Sequence, residues 1–231
     1  MSLFRTPSGH RQRFPLFLIA GLINLVSSQP VFADKFPVSN RLLNKIEQDH
    51  GGYARERIII WEKLIIGNKN ADNLKKLSVV NDFFNKMNFA HDIDQWGEED
   101  YWATPLQMLT SNGGDCEDYS IAKYFTLLKM GIPAERMRLT YVKALKLNQA
   151  HMVLTYYPDP DAEPLVLDNL VDGIQTASKR KDLLPVYSFN GTDLWLAKKR
   201  GGEQHIGRSG RLSRWKAVIA RIDDEQISLP R

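Results

Sequence analysis

The chain has 231 residues, 43% of them hydrophobic, enough for one domain with a full core. Its formal charge of +4 does not mark a nucleic-acid binder: residues 1–33 hold three of the 31 Lys+Arg and none of the 27 Asp+Glu, leaving 28 against 27. Internal repeats and low-complexity tracts are absent, which excludes solenoid and fibrous classes.

Arg5, Arg11 and Arg13 form a basic start, Phe14–Val26 is an apolar run of 13 residues, and Val31-Phe32-Ala33 resembles a small-x-small cleavage site. A bilayer span takes about 20 apolar residues, so the run is short for an anchor. We read residues 1–33 as a cleaved signal peptide, with an uncleaved anchor as the alternative, and expect an exported protein. One cysteine cannot close an internal disulfide. A free thiol is a liability outside the cytosol, so its retention favours a functional role.

Helical spacing follows at 36–49 (Leu42, Leu43, Ile46), at 55–66 (Ile58, Trp61, Ile65) and at 74–87 (Leu77, Val80, Phe84). Residues 90–105 read as an acidic, aromatic loop whose Trp96 and Trp102 are either core anchors or the wall of a cleft. Thr104-Pro105 opens a short helix to Leu109.

Gly113-Gly114-Asp115-Cys116-Glu117-Asp118-Tyr119-Ser120 is the most informative stretch. The two glycines permit a sharp turn or positive φ. From Cys116 a helix runs to Gly131-Ile132-Pro133, with Ile121, Tyr124, Phe125 and Leu128 at helical spacing. The thiol therefore sits at a helix N-terminus, which favours thiolate. Asp115, Glu117 and Asp118 oppose that as bare charges, and a cation would offset them. These three are hard oxygen ligands of the type Ca²⁺ prefers; the other reading is that they only cap the helix. A lone cysteine is also commonly a small buried hydrophobe.

Strands are expected at Leu139–Ala144, His151–Tyr157, Leu165–Asp168, Val186–Phe189 and Leu194–Ala197. Helices first and antiparallel strands after imply an α+β domain over 34–197. A hairpin turning at Pro158–Asp161 sets residue 157 opposite 162 and His151 opposite Asp168, an imidazole beside a carboxylate. A thiol on a helix start with His and Asp on adjacent strands is a papain-like arrangement: Cys116 as nucleophile, His151 as general base and acid, Asp168 as its orienter. Residues 198–231 read as a basic, mobile tail with a short helix near Trp215–Ile222; residues 198–221 hold eight Lys+Arg against Glu203.

Gly114–Tyr119 with Ile121-Ala122-Lys123-Tyr124, Asn148–Leu154 and Val166–Leu170 resemble the bacterial transglutaminase-like cysteine proteinases, and more narrowly their periplasmic biofilm-protease branch. Trp96-Gly97, Asp100–Pro105, Leu139–Lys143 and Pro185–Asn190 extend the likeness over roughly residues 40–200. The resemblance implies a papain/transglutaminase-like fold and a calcium-dependent endopeptidase in the periplasm. It implies a large surface adhesin as substrate, cut near its N-terminus at a small-residue site. It further implies control by an inner-membrane receptor of the LapD type that responds to cyclic di-GMP. Three other readings stay open: glutamine acyl transfer by the same triad, a non-catalytic binding module, and a peptidoglycan amidase.

Overall fold

The computed structural model describes residues 38–198 and 202–227; the expected signal peptide lies outside them. Helices come first. α1 (Asn40–His50) is capped by Ser39, whose Oγ accepts the Leu42 N–H at 3.2 Å. α2 (Gly52–Asn68) follows, then α3 (Asn73–Phe84), capped by Asp72. The expected 90–105 loop contains one helical turn, α4 (Asp92–Trp96). α5 (Pro105–Ser111) opens with a reciprocal cap between Thr104 and Gln107 and with Pro105 in its first turn, where a missing N–H costs nothing.

α6 (Cys116–Lys129) is the central element. Every residue from Glu117 to Leu127 is buried, because α3 and α5 cover one side and the sheet covers the other. Its polar groups are accommodated singly: Thr126 Oγ1 accepts the Trp61 indole N–H at 2.8 Å.

β1 (Asn88–Phe89) and β2 (Gly113–Gly114) form a short parallel pair just ahead of α6. Among the described residues the main sheet has seven antiparallel strands in the order β6-β5-β4-β3-β7-β8-β9. They are β3 (Met137–Ala144), β4 (Gln149–Tyr156), β5 (Leu165–Leu167), β6 (Gln175–Thr176), β7 (Leu183–Phe189), β8 (Asp193–Ala197) and β9 (Glu203–Arg208). Leu139, Met152, Leu154, Leu167 and Phe189 face the core, while Val142, Val153 and Val166 form a small cluster on the other face. Pro185 pairs where the β3–β7 register shifts between Tyr141 and Val142, an irregularity that accommodates a residue with no N–H. The α+β class and the helices-then-sheet order are as expected.

Two expectations are corrected. β4 and β5 pair Leu154 with Leu167 and Tyr156 with Leu165, a register two residues away from the expected hairpin, because the connection 157–164 is longer than a tight turn. A shift of two preserves side-chain parity, so His151 and Asp168 still share a side; a shift of one would have parted them. The expected mobile tail is also part of the domain in its described residues. β9 pairs with β8, and α7 (Ser213–Ile227) drives Trp215, Val218 and Ile222 into the core. Trp215 stacks on Phe125 at 5.6 Å and meets Phe189 edge-on at 5.3 Å. Arg and Lys dominate the composition there, but the three apolar positions at i, i+3 and i+7 decide the packing.

Candidate active site

The site is built where β2 delivers the chain to α6. A Cβ on Gly114 would lie 2.3 Å from Asp118 Oδ2, and one on Gly113 would lie 2.6 Å from the Asn88 carbonyl oxygen. The glycines are thus required by close approach and not by positive φ; the left-handed residue here is Asn112, at φ 61°. Asp118 is fully buried. Its Oδ1 accepts the Ala103 N–H at 2.6 Å, and its Oδ2 accepts the Asp115 N–H at 3.3 Å. One carboxylate thereby ties the aromatic loop to the start of α6. Trp102 is core, stacked on Phe189 at 5.8 Å, whereas Trp96 is half-buried against Tyr101.

Cys116 is the first residue of α6 and half-buried, its Sγ 3.0 Å from Glu117 Oε2. The helix start lies against β4: Ser120 Oγ donates to the Cys116 carbonyl at 2.9 Å and to the Met152 carbonyl at 3.0 Å. This sets the thiol beside the strand residue that follows His151. The lowering that a helix start favours is outweighed by burial and by the neighbouring acids. Burial pushes the Cys116 thiol up, the charges of Glu117 and Asp115 add to it, and the Met152 N–H offsets part.

His151 is buried and its Nε2 is 2.8 Å from Asp168 Oδ1. Asp168 also accepts the Leu170 N–H on Oδ1 at 3.0 Å and an Arg180 N–H on Oδ2 at 2.7 Å. Burial alone would raise this carboxyl. The His151 hydrogen bond and charge, with Leu170 and Arg180, outweigh it and hold Asp168 down at about 2. An ionised carboxylate fixed on Nε2 leaves the other imidazole nitrogen, Nδ1, for proton exchange.

The acids divide into two groups whose oxygens or sulfur lie within 4.8 Å of one another: Asp92, Asp115 and Asp118, and Asp115, Cys116 and Glu117. Burial raises Asp92 to about 7, Asp115 to about 9 and Glu117 to about 7, and it raises Asp118 well above the ordinary carboxylate range, with Asp115 adding repulsion on both Asp92 and Asp118. Asp92 Oδ1 and Asp115 Oδ1 are buried without any hydrogen-bond partner. Paired buried acids with orphaned oxygens fit a hard cation such as Ca²⁺. Asp92, absent from the expected ligand set, joins Asp115 and Asp118, while Glu117 stands on the thiol side. Nothing in the spacing of Asp92 announces this; the contact is made by the tertiary fold.

The sequence profile of the "bacterial transglutaminase-like cysteine proteinase BTLCP" family matches residues 63–195, more than half of the chain. The chain belongs to this family of cysteine proteinases. Two solved forms of LapG from Legionella pneumophila are close to it. The EGTA-treated form is 44% identical with a TM-score of 0.70, covering 80% of this chain and 97% of that one. The calcium-bound form is 43% identical with a TM-score of 0.69, covering 80% and 99%. No curated protein matches the chain. Among the described residues no helix of the proteinase is long and apolar enough to cross a membrane.

Proposed function

We propose that this proteinase is a calcium-dependent periplasmic endopeptidase that cuts a large surface adhesin near its N-terminus and so releases biofilm attachment. The observation that carries the reading is the buried His151–Asp168 pair beside a helix-start cysteine. Cys116 is the nucleophile. His151 takes the thiol proton on Nδ1 and later gives one to the leaving amine. Asp168 holds the imidazole in that tautomer and stabilises the imidazolium. Glu117, hydrogen-bonded to the thiol, and Asp115 raise the cost of thiolate while uncompensated. A Ca²⁺ held by Asp92, Asp115 and Asp118, with Glu117 next to it, would supply the neutralising charge. The calcium-bound and EGTA-treated forms of the Legionella relative support this assignment. Residues 1–33 act as the export signal, and an inner-membrane receptor of the LapD type withholds the protease when cyclic di-GMP is high.

The test is incubation of the N-terminal region of the host's large adhesin with wild type and Cys116→Ala, with calcium and with EGTA. Two fragments are expected from the wild type in calcium alone. Cleavage by Cys116→Ala removes the nucleophile assignment, and crosslinked product with ammonia release replaces hydrolysis by acyl transfer.

A further inference from the structure

Asp168 is gripped by a residue outside the expected triad. Arg180 lies just past the helical turn Ala177–Lys179, between β6 and β7, and is only 4% exposed. Its Nη2 donates to Asp168 Oδ2 at 2.7 Å and to Asp182 Oδ2 at 2.9 Å, and its Nε donates to Asp182 Oδ1 at 3.0 Å. Asp182 therefore takes the Nε/Nη2 edge of the guanidinium as a fork and aims the shared Nη2 at Asp168. The turn is pinned in its own right: the Arg180 N–H reaches the Ala177 carbonyl at 3.0 Å, and the Asp182 carbonyl accepts the Leu145 N–H at 2.8 Å.

We infer that Arg180 is a positioning residue for the catalytic pair, fixing Asp168 in its ionised form and in the one rotation that presents Oδ1 to His151. This rests on the role given to Asp168 under the proposed function. The physical argument is one of satisfaction. Oδ1 is filled by His151 and Leu170, so Arg180 is the side chain that engages Oδ2. Without it a buried carboxylate oxygen is left unpaired, and the group either rotates or takes up a proton. The charged groups facing Asp168 are His151 from β4, Arg180 from the turn, with Asp182 behind it, and Lys123 from α6, whose ammonium is held by Asn81 and Asn85 of the α3 end. Arg180 is the permanent cation in direct contact with the carboxylate, whereas His151 is charged only when protonated. Lys123 acts through space, and Asn85 grips only the Asp168 backbone carbonyl, at 2.8 Å.

The experiment compares Arg180→Gln and Arg180→Lys with wild type in the full mature chain with calcium. The downfield proton resonance of the His151 Nε2–H reports the bond to ionised Asp168. In Arg180→Gln it is expected to vanish on acidification at least about one pH unit above the wild-type value, with Arg180→Lys restoring most of the range. In adhesin cleavage, Arg180→Gln is expected to lower kcat about 10- to 100-fold with little change in KM, because misplacement by about 1 Å costs that much. An unchanged resonance range in a folded Arg180→Gln protein overturns the inference, as does Arg180→Lys behaving no better than Gln. Should Arg180→Gln not fold, Asp182→Asn carries the same test, since it loosens the fork while leaving the contact to Asp168. Residual cleavage by Cys116→Ala would instead sink the triad reading and leave the resonance result standing.

Discussion

On the proposed mechanism His151 and Cys116 act as one chemical unit, so their substitutions should not add. His151→Ala is expected to lose as much activity as Cys116→Ala, with the double variant no worse than either. Asp168→Asn should cost less, since an amide still occupies the position but cannot stabilise the imidazolium charge. Steady-state cleavage rates of the four variants check this, and a further large drop in the double variant would mean that the two act separately. The acids behave in a linked way. Asp92, Asp115 and Glu117 have folded pKa values of about 7, about 9 and about 7, all above the ordinary carboxylate value near 4. A native state that holds protons more tightly than the unfolded chain loses stability as pH rises between the two values. The EGTA-treated protein should therefore melt at falling temperature from about pH 5 to about pH 8. Saturating Ca²⁺ should flatten or reverse that slope, because the ion binds the ionised carboxylates. Asp92→Asn should weaken the calcium-induced rise in melting temperature. Scanning calorimetry across pH decides it, and an EGTA curve that climbs with pH counts against the buried-acid account.

Elements place these residues. α6 is buried all round, its polar groups included, and that enclosure brings the helices to one side of Cys116 and β4 to the other. α7 completes the enclosure. Its Arg221 donates to the Trp102 carbonyl and lies 4.5 Å from the Tyr101 ring centroid, and Glu225 accepts from Thr104 Oγ1 at 2.5 Å. The C-terminal helix thus braces the loop that Asp118 anchors from within. Trp215→Ala is expected to cost about 3–5 kcal/mol, the range for removing a large buried aromatic. The loss is measurable as a shift in urea midpoint with unchanged slope. A shift of less than about 1 kcal/mol would return residues 213–227 to the status of a surface appendage.

At the scale of the whole molecule, export is the remaining prediction. Intact mass of protein recovered from the periplasm should correspond to a chain starting near Asp34, and retention of Arg5–Val26 would favour the anchor. The sequence by itself determined the order of elements and the class. Apolar periodicity in α2, α3 and α6, alternation in β3 and β4 and the Thr104-Pro105 cap are local signals that the fold leaves intact. It also marked Cys116, His151 and Asp168 as candidates, because a single cysteine at a helix start and two polar residues of matching parity are visible without coordinates. Tertiary structure alone decided the β4–β5 register, which depends on how a long connection packs. It alone joined Asp92 to Asp115 and Asp118, and Arg180 to Asp168, over separations with no period to read. It also turned the basic C-terminal segment from a tail into core, since burial of Trp215 depends on the cavity that Phe125 and Phe189 leave for it. Local pattern records what a residue prefers; long-range burial and charge pairing depend on which distant groups the finished core leaves unsatisfied.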